Sequence, residues 1–285
     1  TLASLFSNVP MLIATHCEDE HTVQKNLAEA KLKYGDDIPI ELHPIIRNEE
    51  ACYLSSSLAV QLAKEHGARL HVLHISTAKE TELFNNDLSL KEKKITSEAC
   101  VHHLWFSDED YASQGTKIKW NPAVKSQSDR NGIWKALLED RIDVVATDHA
   151  PHTIEEKSNV YTKAPSGGPL VQHALISMME HVKNGKITIE RVVEKMAHNP
   201  AILFRIEERG FIREGYYADL VIVNPSKKYS VSKNNILYKC KWSPFEGCDF
   251  SSTIDTTFVN GKIVYKNNQI IEGVNGMRLS FNPDF

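Results

Sequence analysis

Three apolar runs in this chain stop on a residue that could do chemistry. Val9–Thr15 ends on His16, Arg69–Leu73 ends on His74, and Ile142–Thr147 ends on Asp148, with His149 and His152 just beyond. Neutral imidazole and carboxylate together form a donor set that suits Zn²⁺. Water bound to such a metal has a pKa of ~7 and supplies hydroxide near neutrality. Each residue alone has a plainer reading. A histidine at a strand end usually just makes a hydrogen bond, and an aspartate after a strand often caps a helix. The repetition at three strand ends argues for a shared site, so His16, His74 and Asp148 are expected to hold one or two zinc ions.

Parity supports this reading. Side chains alternate between the two faces of a strand, so Leu12 and Ala14 share a face with His16, Leu70 and Val72 with His74, and Val144 and Ala146 with Asp148. Each polar residue then tops an apolar column, as an inward-facing barrel position should. His71, of opposite parity, is expected to face a helix layer.

The elements that must position these residues alternate in kind. Four strand-like runs (9–15, 69–74, 94–101 and 142–147) are separated by helical stretches near 20–34, 49–66, 78–84 and 129–138, with further helices over 168–184 and 189–197. Strands alternating with helices predict βαβ units and a parallel sheet. The C-terminal ends of such strands are where (β/α) barrels carry their chemistry. From about Ile206 the pattern turns to β runs, two of them separated by Asn260-Gly261, a hairpin-turn signal. The expected architecture is α/β: a partial (β/α)8 TIM-type barrel over 1–205, about strands five to eight, followed by a small β-sandwich segment over 206–285.

Composition narrows the class. The chain has 285 residues, 41% of them hydrophobic and 25% charged, with a formal net charge of −4. That balance argues against nucleic acid as a partner. No apolar run approaches the ~18 residues that span a bilayer, so no membrane partner is expected. Five cysteines without metal-type spacing fit a reducing, cytoplasmic setting.

Longer strings add a resemblance. His16-Cys17-Glu18-Asp19, the stretch from His71 to Thr77, Thr96 to Leu104, Lys119 to Ala123, Asp143 to His152, and Gly167 to Leu170 together resemble dihydroorotase, within the amidohydrolase superfamily. The resemblance implies a zinc-dependent hydrolase that opens a cyclic amide, converting dihydroorotate to carbamoyl aspartate in pyrimidine synthesis. It implies that His16 and His74 bind the more buried metal, and that Asp148 binds the other and acts as general base. Asn121 and His152 would hold the substrate's carboxylate and ring. Gly167 and Gly168 would let backbone approach the ring amide, because they carry no side chain. A small cyclic amide and a second copy of the chain, in a homodimer, are the implied partners.

The chain departs from that pattern in places. Asn121-Pro122-Ala123-Val124-Lys125 stands where relatives often have Asn-Pro-Pro-Leu-Arg, which opens the substrate to hydantoinase- and allantoinase-type alternatives. His102 and His103 are read as packing groups or as groups backing the site residues, not as metal ligands, and Glu18 and Asp19 as the start of a helix. No His-x-His pair occurs, although members of the superfamily begin their barrel with one. The chain is therefore expected to be part of a longer protein and inactive, or nearly so, by itself. Two further readings are a non-catalytic dihydroorotase-like structural partner and a half-barrel that self-associates.

Overall fold

A computed structural model of the chain describes residues 2–282. The predicted parallel sheet is present. It comprises β1 (Ile13–Thr15), β2 (Leu70–Val72), β3 (Ile95–Cys100) and β4 (Val144–Ala146), in the order β1-β2-β3-β4. The connecting helices begin and end where their caps dictate. Asp19 accepts a hydrogen bond from Thr22 N (2.8 Å) to start Glu20–Tyr34. Asn48 does the same for Ala51 N (3.0 Å) ahead of Glu49–His66, which stops at Gly67 in the left-handed conformation.

One helix approaches a loop unusually closely. Gly132, within Gln127–Leu138, faces Ala78 so tightly that a Cβ there would lie 2.4 Å from the Ala78 methyl. The same loop is tied to that helix by Ala78 N donating to Asp129 Oδ1 (3.0 Å).

The register overturns the parity argument for β2. Ala14 pairs with His71 and His71 with Thr96, while Glu98 pairs with Val144. Residues paired in a parallel sheet point to the same side. His71 therefore shares a face with Ala14, Thr96, Glu98 and Val144, and Leu70 and Val72 point the other way. His71 is fully buried on that face, bonded to Thr96 Oγ1 (2.9 Å) and Glu98 Oε2 (3.1 Å). His74 lies beyond the end of the strand, where its φ of 38° breaks the alternation.

After the barrel-like segment come β5 (Leu220–Asn224), β6 (Tyr229–Ser230), β7 (Asp249–Phe250), β8 (Thr253–Val259), β9 (Lys262–Lys266) and β10 (Gln269–Ile270). They form an antiparallel sheet in the order β10-β9-β8-β5 and a separate β6-β7 pair. The β8–β9 turn is the predicted Asn260-Gly261, both with positive φ (52° and 77°). The β9–β10 turn uses Asn267-Asn268 in the same way (50° and 63°).

The chain divides into two compact units. One runs to Gln172 and includes Tyr238–Pro244; the other comprises His173–Leu237 and the chain from Phe245 on. The parallel sheet and all seven proposed site residues belong to the first. No helix among the described residues is long and apolar enough to cross a membrane.

Candidate functional site

At the C-terminal ends of β2 and β4, two non-glycine residues hold left-handed backbone: His74 (φ 38°) and Asp148 (φ 47°). Such conformations cost on the order of 1–3 kcal/mol and persist only where surrounding structure enforces them. Here they aim strand-end side chains that a continued pleat would send elsewhere.

His16 and His74 come together, with His16 Nδ1 3.1 Å from His74 Nε2. The other His16 nitrogen, Nε2, lies 3.1 Å from Glu18 Oε2, which also receives Arg47 Nη1 at 2.5 Å. The Glu18 side chain is buried. Burial alone would raise its pKa, but the hydrogen bond from His16 and the Arg47 charge outweigh burial and hold it below the ordinary value. Glu18 is thus an internal counter-ion, not the helix-starting charge expected; Asp19 alone takes the capping role. His74 is pushed down to about 4, first by burial and then by neighbouring His16, so it is neutral at physiological pH.

Asp148 is the third strand-end residue. Its carboxyl is raised above the usual aspartate range, chiefly by burial and next by the Glu98 charge, with His16 opposing. Electrostatically it belongs with His16 and Glu98, yet it makes no hydrogen bond to His16 or His74.

This geometry corrects the zinc expectation. Among the described residues, no group of three or more His, Cys, Asp or Glu side chains is placed to hold a metal ion. The physical reason is visible in the pair itself. The two imidazoles turn their nitrogens toward each other, and His16 gives its second nitrogen to Glu18. The donor set does not fit one or two Zn²⁺, and the zinc-dependent, metal-binding dihydroorotase reading is withdrawn with it.

The other predicted residues gather on neighbouring loops. Asn121 lines a cleft of about 190 Å³ with Lys31, His43, Arg47, Lys119 and Tyr161, and its buried Oδ1 has no hydrogen-bond partner among the described residues. Gly167 (φ 119°) sits so close to Ala150 that a Cβ would meet its carbonyl oxygen at 2.6 Å. At Gly168 a Cβ would meet Trp120 Cζ2 at 2.7 Å, and the residue bridges to His149 in parallel. His152 is partly exposed, 3.7 Å from Glu156 Oε2, with its carbonyl accepting from Trp242 Nε1 (2.8 Å).

Sequence reasoning missed the groups that hold these loops. His43 is buried and bonded to the Trp120 carbonyl (2.6 Å) and the Tyr161 hydroxyl (2.9 Å), with its pKa driven well down by burial. Lys119 donates to the carbonyls of Tyr161 (2.8 Å) and Ala164 (2.5 Å) while lying over the Tyr161 ring. Lys157 is fully buried. Nothing in a sequence marks a lysine as internal, although Lys119 does lie in one of the strings that carried the resemblance. His102 and His103 are buried packing groups, as expected, with His102 stacked on Trp120.

Comparison with known proteins follows the same outline. Residues 8–264 match the amidohydrolase family. The dihydroorotase of Methanosphaera stadtmanae is 32% identical over 259 residues, 90% of this chain and 59% of that protein. That of Clostridium acetobutylicum is 36% identical over 233 residues, 81% of this chain and 54% of that protein. Among solved structures, an L-hydantoinase (dihydropyrimidinase) from Arthrobacter aurescens superposes with a TM-score of 0.85 at 25% identity, covering 95% of this chain and 61% of its own. A D-hydantoinase (dihydropyrimidinase) from Thermus sp. shares the fold with a TM-score of 0.84 at 21% identity, over 94% and 60% of the two chains. The chain thus spans between half and two-thirds of the length of these relatives.

Proposed function

Because the chain belongs to the amidohydrolase family, in its cyclic-amidohydrolase branch, we propose that it serves hydantoinase-type hydrolysis of a cyclic amide, with Asp148 moving the proton. The observation that carries this reading is the Asp148 carboxylate, held at a left-handed strand end with its basicity raised by burial and by Glu98. A more basic carboxylate is a better acceptor of the proton from a water attacking the ring carbonyl. The same proton then passes to the ring nitrogen as the C–N bond breaks, and Asp148 is regenerated as carboxylate. Asn121 and His152 would grip the ring and its substituents. The backbone at Gly167 and Gly168, packed without side chains against Ala150 and Trp120, would lie against the ring amide. His16 and His74 would flank the reacting carbonyl as a hydrogen-bonded pair. A small cyclic amide and a second copy of the chain are the proposed partners.

The test is a ring-opening assay with hydantoin, dihydrouracil, allantoin and dihydroorotate. Asp148→Asn keeps the shape but removes the base, so turnover should fall roughly a hundredfold or more while the fold persists by circular dichroism. Unchanged turnover in that variant would remove Asp148 from the mechanism.

A second reading is a non-catalytic dihydroorotase-like structural partner. The mutual satisfaction of His16, Glu18 and Arg47 favours it, because groups already bonded to each other resemble a structural network. Absence of ring opening on all four substrates would select this reading.

A further inference from the structure

Lys157 is fully buried, and among the described residues no carboxylate pairs with it. Its ammonium has three hydrogens, and three carbonyls receive them: Lys119 O at 3.1 Å, Pro165 O at 2.9 Å and Gly167 O at 2.9 Å. A buried charge is retained only when its hydrogen-bonding capacity is met, and here it is met entirely by backbone. Those carbonyls belong to two separate segments. One leads into Asn121 and the other contains Gly167 and Gly168.

The surrounding bonds run the same way. Gly167 N donates to the Lys119 carbonyl (2.8 Å), so that oxygen serves both the lysine and the glycine. The Lys119 side chain reaches back across the same gap to the carbonyls of Tyr161 and Ala164, and His43 fixes the next carbonyl, that of Trp120. The short helix Ile154–Lys157 that carries the ammonium is started by a reciprocal Thr153–Glu156 cap, and Thr116 Oγ1 donates to the Lys157 carbonyl. The lysine is thereby fixed from outside, and its ammonium, together with the direct Gly167 N–Lys119 O bond, joins the two segments.

We propose that Lys157 is a positioning residue that holds the Gly167–Gly168 backbone in register with Asn121, so that a cyclic amide meets both at once. This assignment rests on the reading of those residues as substrate contacts. It adds to that reading a residue remote from the reacting atoms, acting on binding rather than on proton transfer. The Lys119 ammonium is held by a different pair of carbonyls, those of Tyr161 and Ala164. Burial, and after it the Lys119 charge, pushes Lys157 down to about 7, so the three carbonyls around Lys157 are what hold its ammonium.

Lys157→Met keeps the length of the side chain and removes the ammonium. The variant should raise KM for hydantoin about tenfold, the scale of losing one well-placed hydrogen bond, and leave kcat within about twofold. Exposed Lys163, in the same loop, gives the control: Lys163→Met should change neither. A fall in kcat at constant KM would overturn the assignment. Hydrogen exchange separates this proposal from the functional reading beneath it. If wild-type protein opens no cyclic amide, the functional reading fails, yet the Gly167 amide should still exchange at least about tenfold faster in Lys157→Met, with β2 and β3 protection unchanged. Equal exchange at Gly167 would overturn the positioning role. Should the variant not fold, reductive methylation of wild-type protein decides: Lys157 should stay unmodified while Lys163 reacts, and equal labelling of both would overturn the burial on which the role depends.

Discussion

Asp148 shows how little sequence distance matters once a chain turns left-handed. Glu98, one strand away on β3, is the charge that adds most to burial in raising the Asp148 carboxyl. Removing it should make Asp148 a weaker base. Glu98→Gln is therefore expected to move the acid limb of the pH–rate profile to lower pH, because Asp148 would ionise more readily, and an unmoved limb would show that the two carboxyls do not communicate. The residue types at the three strand ends were legible from the sequence, since an apolar run that stops on a histidine or aspartate is plain to see. What the sequence hid was direction. Alternation put His74 over Leu70 and Val72, but the register puts His71 on the face of Ala14 and Thr96. A positive φ at a non-glycine residue leaves no trace in composition, and the zinc expectation depended on directions that the backbone does not follow.

At the scale of elements, the four parallel strands and the Glu49–His66 helix appear where periodicity predicted them, because β-branched runs and capping residues are local signals. The β9–β10 turn was not anticipated, since Asn-Asn is a weaker turn signal than Asn-Gly. The close contacts between elements were also invisible in the sequence. Gly168 packs directly on the ring of Trp120, which is wholly buried and stacked against His102, so neither ring has room to withdraw. Gly168→Ala should therefore overpack the loop and destabilise the protein by roughly 1–3 kcal/mol. Thermal melting would check this, and an unchanged midpoint would mean that the loop can move away from Trp120.

At the scale of the whole unit that carries the parallel sheet, histidine is the dominant internal ionisable group. His74 is lowered to about 4 and His103 to about 3, and His43 and His102 lie well below 6.5, in each case chiefly through burial. A folded pKa below the unfolded one means that the unfolded chain binds more protons. The stability these groups lend is complete above pH 6.5 and is lost as pH falls toward about 4. For His74 alone the change from 6.5 to about 4 corresponds to roughly 3 kcal/mol. The raised carboxyls of Glu80 and Asp148 act in the opposite sense, but two carboxyls do not offset four imidazoles. The melting midpoint is expected to drop steeply between pH 6.5 and 4, and a flat profile over that range would mean that these rings are charged in the folded protein. A sequence with thirteen histidines announces that some will matter; which of them are dry depends on packing. Their dryness has a calorimetric signature as well. Melting this protein in mildly acidic solution must draw protons out of the buffer, so its apparent enthalpy will differ between acetate and a buffer with a large heat of ionisation, and the difference counts the imidazoles released into water.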